Sequence, residues 1–116
     1  FPMTPGEQTR DFMYVGDAAD AVLRAAFSPA ATGEVFNICS GVEHSILSIA
    51  RQVHELMESH SRLLVGALPY RANEVMRLVG SPEKARRLLG WVPRIELADG
   101  LRRTIASFLE QPAVPQ

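Results

Sequence analysis

The sequence holds one cysteine, one lysine, and eight glycines of which no two lie closer than Gly33 and Gly41. Each scarcity excludes something. Cys39 alone forms no internal disulfide, so a reducing, cytoplasmic setting is expected. A dinucleotide-binding turn needs glycines two and three positions apart, so that backbone can approach a pyrophosphate at a helix start. That spacing is absent here, and no cofactor-binding residue is assigned. Lys84 is the single candidate for any lysine-dependent chemistry. No apolar run approaches the ~18–20 residues of a membrane span, and no signal-peptide pattern opens the chain. Twelve basic and 13 acidic residues give a formal net charge of -1, without the clustered basic excess of a nucleic-acid module. Neither HExxH nor a paired CxxC occurs, and His44, His54 and His60 have no companion ligands, so no metal site is assigned.

What remains describes one ordinary globular domain over residues 1–116. Hydrophobic residues make up 47% and charged residues 22%, enough for a modest core. The opening Phe1-Pro2-Met3 lacks an initiator methionine, which fits a piece of a longer protein. Residues 1–9, with two prolines and a glycine, read as a loop. Asp11 to Val15 reads as a strand ending at Gly16. Asp17 then stands as the N-cap of a helix over 17–27, whose Ala18, Ala21, Val22, Ala25 and Ala26 form a small-residue face. After Pro29 and Gly33, Glu34 to Ile38 reads as a second strand. Ser45 caps a helix running to about residue 59. Leu63 to Val65 and Glu74 to Val79 read as extended segments. Ser81-Pro82-Glu83 predicts a cap, a proline at N1 and an acidic first turn for a helix over 82–89, stopped by Gly90. A last helix starts near Leu97 and stops at Pro112, leaving Gln111 to Gln116 frayed. Short strands and about four helices make an α/β chain.

Three segments place arginine among acidic or polar neighbours: Thr9-Arg10-Asp11-Phe12, Tyr70-Arg71-Ala72-Asn73-Glu74 and Arg77-Leu78-Val79-Gly80-Ser81. An arginine fork binds phosphate oxygens in a bidentate way, and a carboxylate accepts ribose hydroxyls. An Arg and an acid three apart on a loop suit a nucleoside diphosphate. Surface salt bridging, for example Arg10 with Asp11 or Glu7, accounts for the same residues, and spacing alone favours it. For Cys39, a small core residue is the favoured reading over a Cys-His nucleophile.

Four collinear segments, TPGEQTRDFMYVGDAADAV, GEVFNICSGVEHSI, LPYRANEVMRLVGSPEKARRLLGWVP and LADGLRRTI, resemble the C-terminal part of the extended short-chain dehydrogenase/reductase family. That family includes NAD-dependent nucleotide-sugar epimerases and dehydratases. The resemblance implies the substrate-binding part of a Rossmann-type enzyme, taking a nucleoside-diphosphate sugar. By position it implies Arg10 and Arg71 on the diphosphate and Glu74 on the ribose. Ser81 to Pro93 matches a further segment read as structural, with Lys84 solvated and Trp91 plugging a hydrophobic seam; Asp17 matches too, and capping explains it. Gly16, Cys39, Ala72 and Ser81 depart from the usual pattern without removing a proposed ligand. The family's chemistry begins with hydride transfer to NAD or NADP, assisted by a Tyr-x-x-x-Lys pair. Neither Tyr14 nor Tyr70 has a lysine at that spacing, so no catalytic residue is assigned, and the cofactor belongs to an N-terminal Rossmann half of the parent. The chain is expected to have no turnover alone, and to meet that half or to self-associate. Two other readings remain: a non-catalytic nucleotide-binding or assembly module derived from that fold, and a dimerising scaffold built on the helices at 45–59 and 97–110.

Overall fold

The computed structural model describes residues 1–110. It is an α/β arrangement of five short strands and four α-helices: β1 (Pro2–Met3), β2 (Thr9–Asp11), α1 (Val15–Phe27), β3 (Glu43–Ser45), α2 (Ile46–Leu56), β4 (Leu64–Val65), β5 (Arg77–Leu78), α3 (Glu83–Leu89) and α4 (Leu97–Glu110). A 3-10 turn at Pro29–Ala31 follows α1. The expected stop at Pro112 and the fraying of Gln111 to Gln116 fall outside the described residues. No described helix is long and apolar enough to cross a membrane.

Pairing, not strand propensity, set where the strands formed. Strand β2 is central, antiparallel to β3 and parallel to β5, in the order β3-β2-β5. Its partners reach only from Thr9 (opposite Ser45 and Arg77) to Asp11 (opposite Glu43). The apolar run Phe12 to Tyr14, expected as strand, therefore connects β2 to α1. The segment 34–38, also expected as a strand, pairs with no strand among the described residues and is not one. Val35 on it is 81% exposed. Conversely, the opening residues expected as loop supply β1, which pairs in parallel with β4. Pro2 is tolerated there because an edge strand leaves one row of N–H groups unused.

The helix ends also depart from the sequence reading. Helix α1 begins at Val15, with Tyr14 at its cap and no side-chain cap bond. Asp17 is thus inside the first turn and is no cap. Helix α2 does start as expected: Ser45 Oγ accepts a hydrogen bond from Ser48 N at 3.1 Å. Helix α3 has Pro82 at its cap, and Ser81 makes no cap bond. Gly90 stops it at φ 59, a left-handed conformation that glycine adopts without a Cβ clash. That turn directs Trp91 back under the helices.

Trp91 is fully buried with Ala21, Ala85 and Leu89. Met13, Ala25, Ala31, Phe36 and Ile38 pack around them. Alanine on α1 and on α3 lets the two helices approach closely, and Trp91 fills the seam beside them, as the sequence suggests. Trp91 Nε1 donates to the Asp17 carbonyl at 3.0 Å. Asp17 Oδ2 accepts from Arg94 N at 3.1 Å and Ile95 N at 3.0 Å. One buried residue therefore ties α1 to the Trp91–Ile95 link that leads into α4.

The core is small for the chain. Accessible surface is 8430 Å², against about 6300 Å² for a compact monomer of this mass. The radius of gyration is 17.1 Å, where about 13 Å is usual. Large apolar side chains lie on that surface: Val15, Val22, Leu23 and Phe27 stand exposed on α1, Phe27 at 85%.

Candidate functional site

Strand β2 presents Thr9 and Asp11 on one face and Arg10 on the other, because side chains alternate along a strand. Each face serves a different end. On the first face Arg77 grips Glu43, its Nε lying 2.9 Å from Oε2, and Thr9 Oγ1 donates to the same oxygen at 2.9 Å. Arg77 holds the Glu43 carboxyl below its usual range, helped by Thr9. Arg77 is thus an ion-pair residue that stitches β5 to β3 across β2, and plain salt bridging explains it.

Asp11 binds backbone. Its Oδ1 accepts from Ser40 N at 2.8 Å and from Ser40 Oγ at 2.5 Å, and its Oδ2 accepts from Gly41 N at 2.8 Å. Burial pushes this carboxyl up, but the Ser40 and Gly41 donors, with the Gly80 amide, bring it on balance below its usual value. Asp11 thereby fixes the Ser40–Gly41 turn against β2. Burial and the Asp11 charge push the neighbouring Cys39 thiol up, which disfavours the thiolate that a nucleophile needs. A Cβ on Gly80 would lie 2.6 Å from Cys39 Sγ, so the thiol is packed against the Gly80 backbone; it is half-buried and lies outside the Trp91 core, so the expected small core residue is not what the structure places there.

On the other face Arg10 meets Glu74 from 64 positions away. Arg10 Nη2 lies 2.8 Å from Glu74 Oε1, and Arg10 Nη1 donates to Thr9 O at 2.8 Å. The salt-bridge partner is Glu74, rather than the Asp11 or Glu7 that proximity in sequence offers. Glu74 is carried on a short turn closed by Glu74 N donating to Arg71 O at 3.1 Å. Two further bonds seat this loop on β2: Glu7 N donates to Tyr70 Oη at 3.0 Å, and Thr9 N donates to Met76 O at 2.8 Å. Arg71 opens the same turn; its side chain is exposed and makes no ion pair among the described residues. The structure thus brings Arg10 and Glu74 into contact and puts Arg71 three residues away, on the loop they anchor.

Arg10 and Asp11, at the end of β2, line a depression of about 460 Å³ together with Phe36 to Cys39 and Leu78 to Gly80; Arg71 and Glu74 are not in its lining. It is an open trough. A second depression of about 570 Å³, between β3, α2 and the Pro93–Ala98 segment, contains none of the three candidate ligands. Lys84, expected to be solvated, instead pairs with Glu34 at 2.6 Å and lies 5.3 Å from the Phe36 ring centre. That contact pins the 34–38 segment to α3.

The residues do not fit a dinucleotide. The glycines with positive φ are Gly6, Gly33, Gly41, Gly66 and Gly90, and each serves a separate turn rather than one phosphate cradle.

Comparison with known proteins decides the family. The profile of the GDP-mannose 4,6 dehydratase family matches residues 2–104. The chain belongs to the extended short-chain dehydrogenase/reductase family. It is 35% identical over 109 residues to the UDP-glucose 4-epimerase of Mycolicibacterium smegmatis, covering 89% of this chain and 32% of that protein. Among solved structures, an epimerase from Methanothermobacter thermautotrophicus is 34% identical with a TM-score of 0.88, over 94% of this chain and 32% of that one. The Bordetella bronchiseptica enzyme WbmF, solved with NAD+ and UDP, is 40% identical with a TM-score of 0.71, over 88% of this chain and 29% of that one. The family member described here therefore spans about a third of the length of these relatives.

Neither Asp11 nor Asp17 is visible as a clamp from sequence. Their partners, Ser40, Gly41, Arg94 and Ile95, are bound mostly through backbone amides, which every residue carries. Tyr70 is missed for the same reason. The Arg10–Glu74 contact likewise has no local signal, since only the β2–β5 register brings residue 74 beside residue 10.

Proposed function

We propose that the chain is the sugar-nucleotide-binding portion of an NAD(P)-dependent nucleotide-sugar epimerase or dehydratase, without turnover alone. The observation that carries this reading is the Arg10–Glu74 contact at 2.8 Å, with exposed Arg71 on the same turn and Arg10 on the wall of an open trough. Arg71 offers a free guanidinium fork to a diphosphate, Arg10 adds a second cation, and Glu74 Oε2 is available to ribose hydroxyls. The similar WbmF structure contains UDP and NAD+, which supports the ligand class. NAD or NADP would supply the hydride chemistry, bound by the rest of the parent, because no residue set here suits it.

The surface excess supports a partner. Roughly 2000 Å² beyond a compact monomer exceeds the ~800 Å² that each partner gives to a standard interface and is of the size that obligate partners bury. We assign that surface to the N-terminal Rossmann half of the parent or, in its absence, to a second copy of the chain.

Titrating UDP, GDP, CDP and dTDP into the chain and into Arg71→Ala tests the reading. At least one nucleotide is expected to bind the wild type and to lose about tenfold or more in the variant, in line with a lost charge-assisted contact. Arg71 is exposed and its side chain makes no ion pair among the described residues, so the variant is expected to stay within about 0.5 kcal/mol of wild-type stability. Nucleotide binding that ignores Arg71, or NADH production by the chain with NAD and a nucleotide sugar, would refute the proposal.

A further inference from the structure

We propose that the segment 35–39 is a docking edge for a second copy of this chain, which pairs with it antiparallel about a twofold axis at Asn37. The inference rests on the proposed assignment of the uncovered surface and is independent of nucleotide binding.

The segment has the make-up of a strand and lacks only the ladder. Val35, Phe36 and Ile38 are strand-forming types. Exposure alternates along it: Val35 and Asn37 stand exposed, while Phe36 and Ile38 pack on the Trp91 core. No backbone N–H or C=O from residue 35 to residue 39 bonds to other backbone among the described residues. Both ends of the stretch are fixed. Glu34 N donates to Ala31 O at 3.0 Å, and Ser40 N donates to Asp11 Oδ1 at 2.8 Å. Lys84 holds Glu34 and lies over the Phe36 ring. The result is a held edge with unspent backbone groups, and its sequence contains neither the proline nor the lysine that blunts such edges.

The stretch suits its own copy. An antiparallel pair centred on Asn37 sets Val35 against Cys39 and Phe36 against Ile38 of the second copy, and keeps Glu34 away from its counterpart. A parallel pair would stack Glu34 on Glu34 and bond less well per residue. With a formal net charge of -1, two copies meet with little long-range repulsion. Two strands alone are marginal in water, so the pair needs apolar cover. Val35 is 81% exposed, and Val22, Leu23 and Phe27 are exposed on α1, which packs on the same core through Ala21 and Ala25. The excess of roughly 2000 Å² over a compact monomer leaves ample surface for the ~800 Å² that each partner gives to a standard interface.

Sedimentation equilibrium of the 116-residue chain, with amide hydrogen exchange read at low and high protein concentration, tests this. The wild type is expected to dimerise, and alternate amides of residues 35–39 should then exchange about tenfold or more slowly than in the dilute monomer. Asn37→Lys sets two like charges opposite each other on the axis. It should weaken dimerisation about fivefold at low salt and recover much of that loss at high salt. Asn37 is exposed, so the dilute variant should keep the thermal midpoint of the dilute wild type. A chain that stays monomeric at every attainable concentration overturns the inference. So does a dimer whose 35–39 amides remain unprotected, or one that ignores Asn37→Lys. Arg71-dependent UDP binding by a strictly monomeric chain would remove the edge and leave the nucleotide role standing; a dimer with protected 35–39 amides and no nucleotide binding would do the reverse.

Discussion

Removing the Asp17 carboxylate should destabilise the chain far more than its position in a first helical turn suggests. The side chain is 6% exposed, and Oδ2 alone accepts both Arg94 N and Ile95 N. Asp17→Ala strands those two amides, each costing about 1–2 kcal/mol when shielded from water, or about 2–4 kcal/mol together. That is a large share of the ~5–15 kcal/mol typical of a small domain. With a urea m-value near ~1.5 kcal/mol/M, the midpoint should fall by about 2 M. Trp91, the single tryptophan, reports the transition by fluorescence from inside the affected seam. Two further variants separate a clamp from a helix cap. Asp17→Asn keeps a carbonyl oxygen at the same reach and should lose only about 1 kcal/mol of charge assistance. Asp17→Ser is a good cap residue but too short to reach residues 94 and 95, so it should resemble Asp17→Ala. A wild-type midpoint in Asp17→Ser, or a shift below about 0.5 M in Asp17→Ala, would refute the clamp.

Three other outcomes follow from the same geometry. Asp11 is held below its usual value of 3.8, so folding favours its ionised form. Its stabilisation is complete above about pH 4 and is lost as pH falls through the lower folded value; Asp11→Asn should flatten that acid limb in a pH series of urea melts. Gly6 sits at φ 75, and a Cβ there would meet Leu47 Cβ and N at 2.8 Å. Gly6→Ala should therefore cost about 2–3 kcal/mol in thermal or urea unfolding, combining left-handed strain with overpacking. Phe27→Glu, on the exposed face of α1, should reduce self-association in sizing runs and leave stability within about 0.5 kcal/mol. An unchanged elution profile of an associated chain would remove α1 from the interface.

The helices were largely legible because their signals are local. Ser45 before α2, the alanine face of α1 and Gly90 after α3 act within a few residues of themselves. The strands were not, because a strand exists only with a neighbour. Glu34 to Ile38 has the composition of one and finds no partner, while Pro2 and Met3 have turn-like neighbours and pair with Leu64 and Val65. Asp17 shows the same limit for a side chain. Its sequence neighbours suggest a cap, and its partners lie more than 75 residues away, at Arg94 and Ile95.

By itself, the sequence determined the composition class, the α/β order, the lack of a glycine cradle and of a Tyr-Lys pair, and the three residues worth testing. Those conclusions depend on residue identity and short spacing, which are written along the chain. Only the tertiary structure decided that Arg10 faces Glu74, that Arg77 is consumed by Glu43, and that Arg71 makes no ion pair among the described residues. It also showed an apolar surface too large for the core beneath it. The reason is the same in each case: which charges meet and which faces remain uncovered depend on strand register and helix contact, and these bring together residues that the chain keeps far apart.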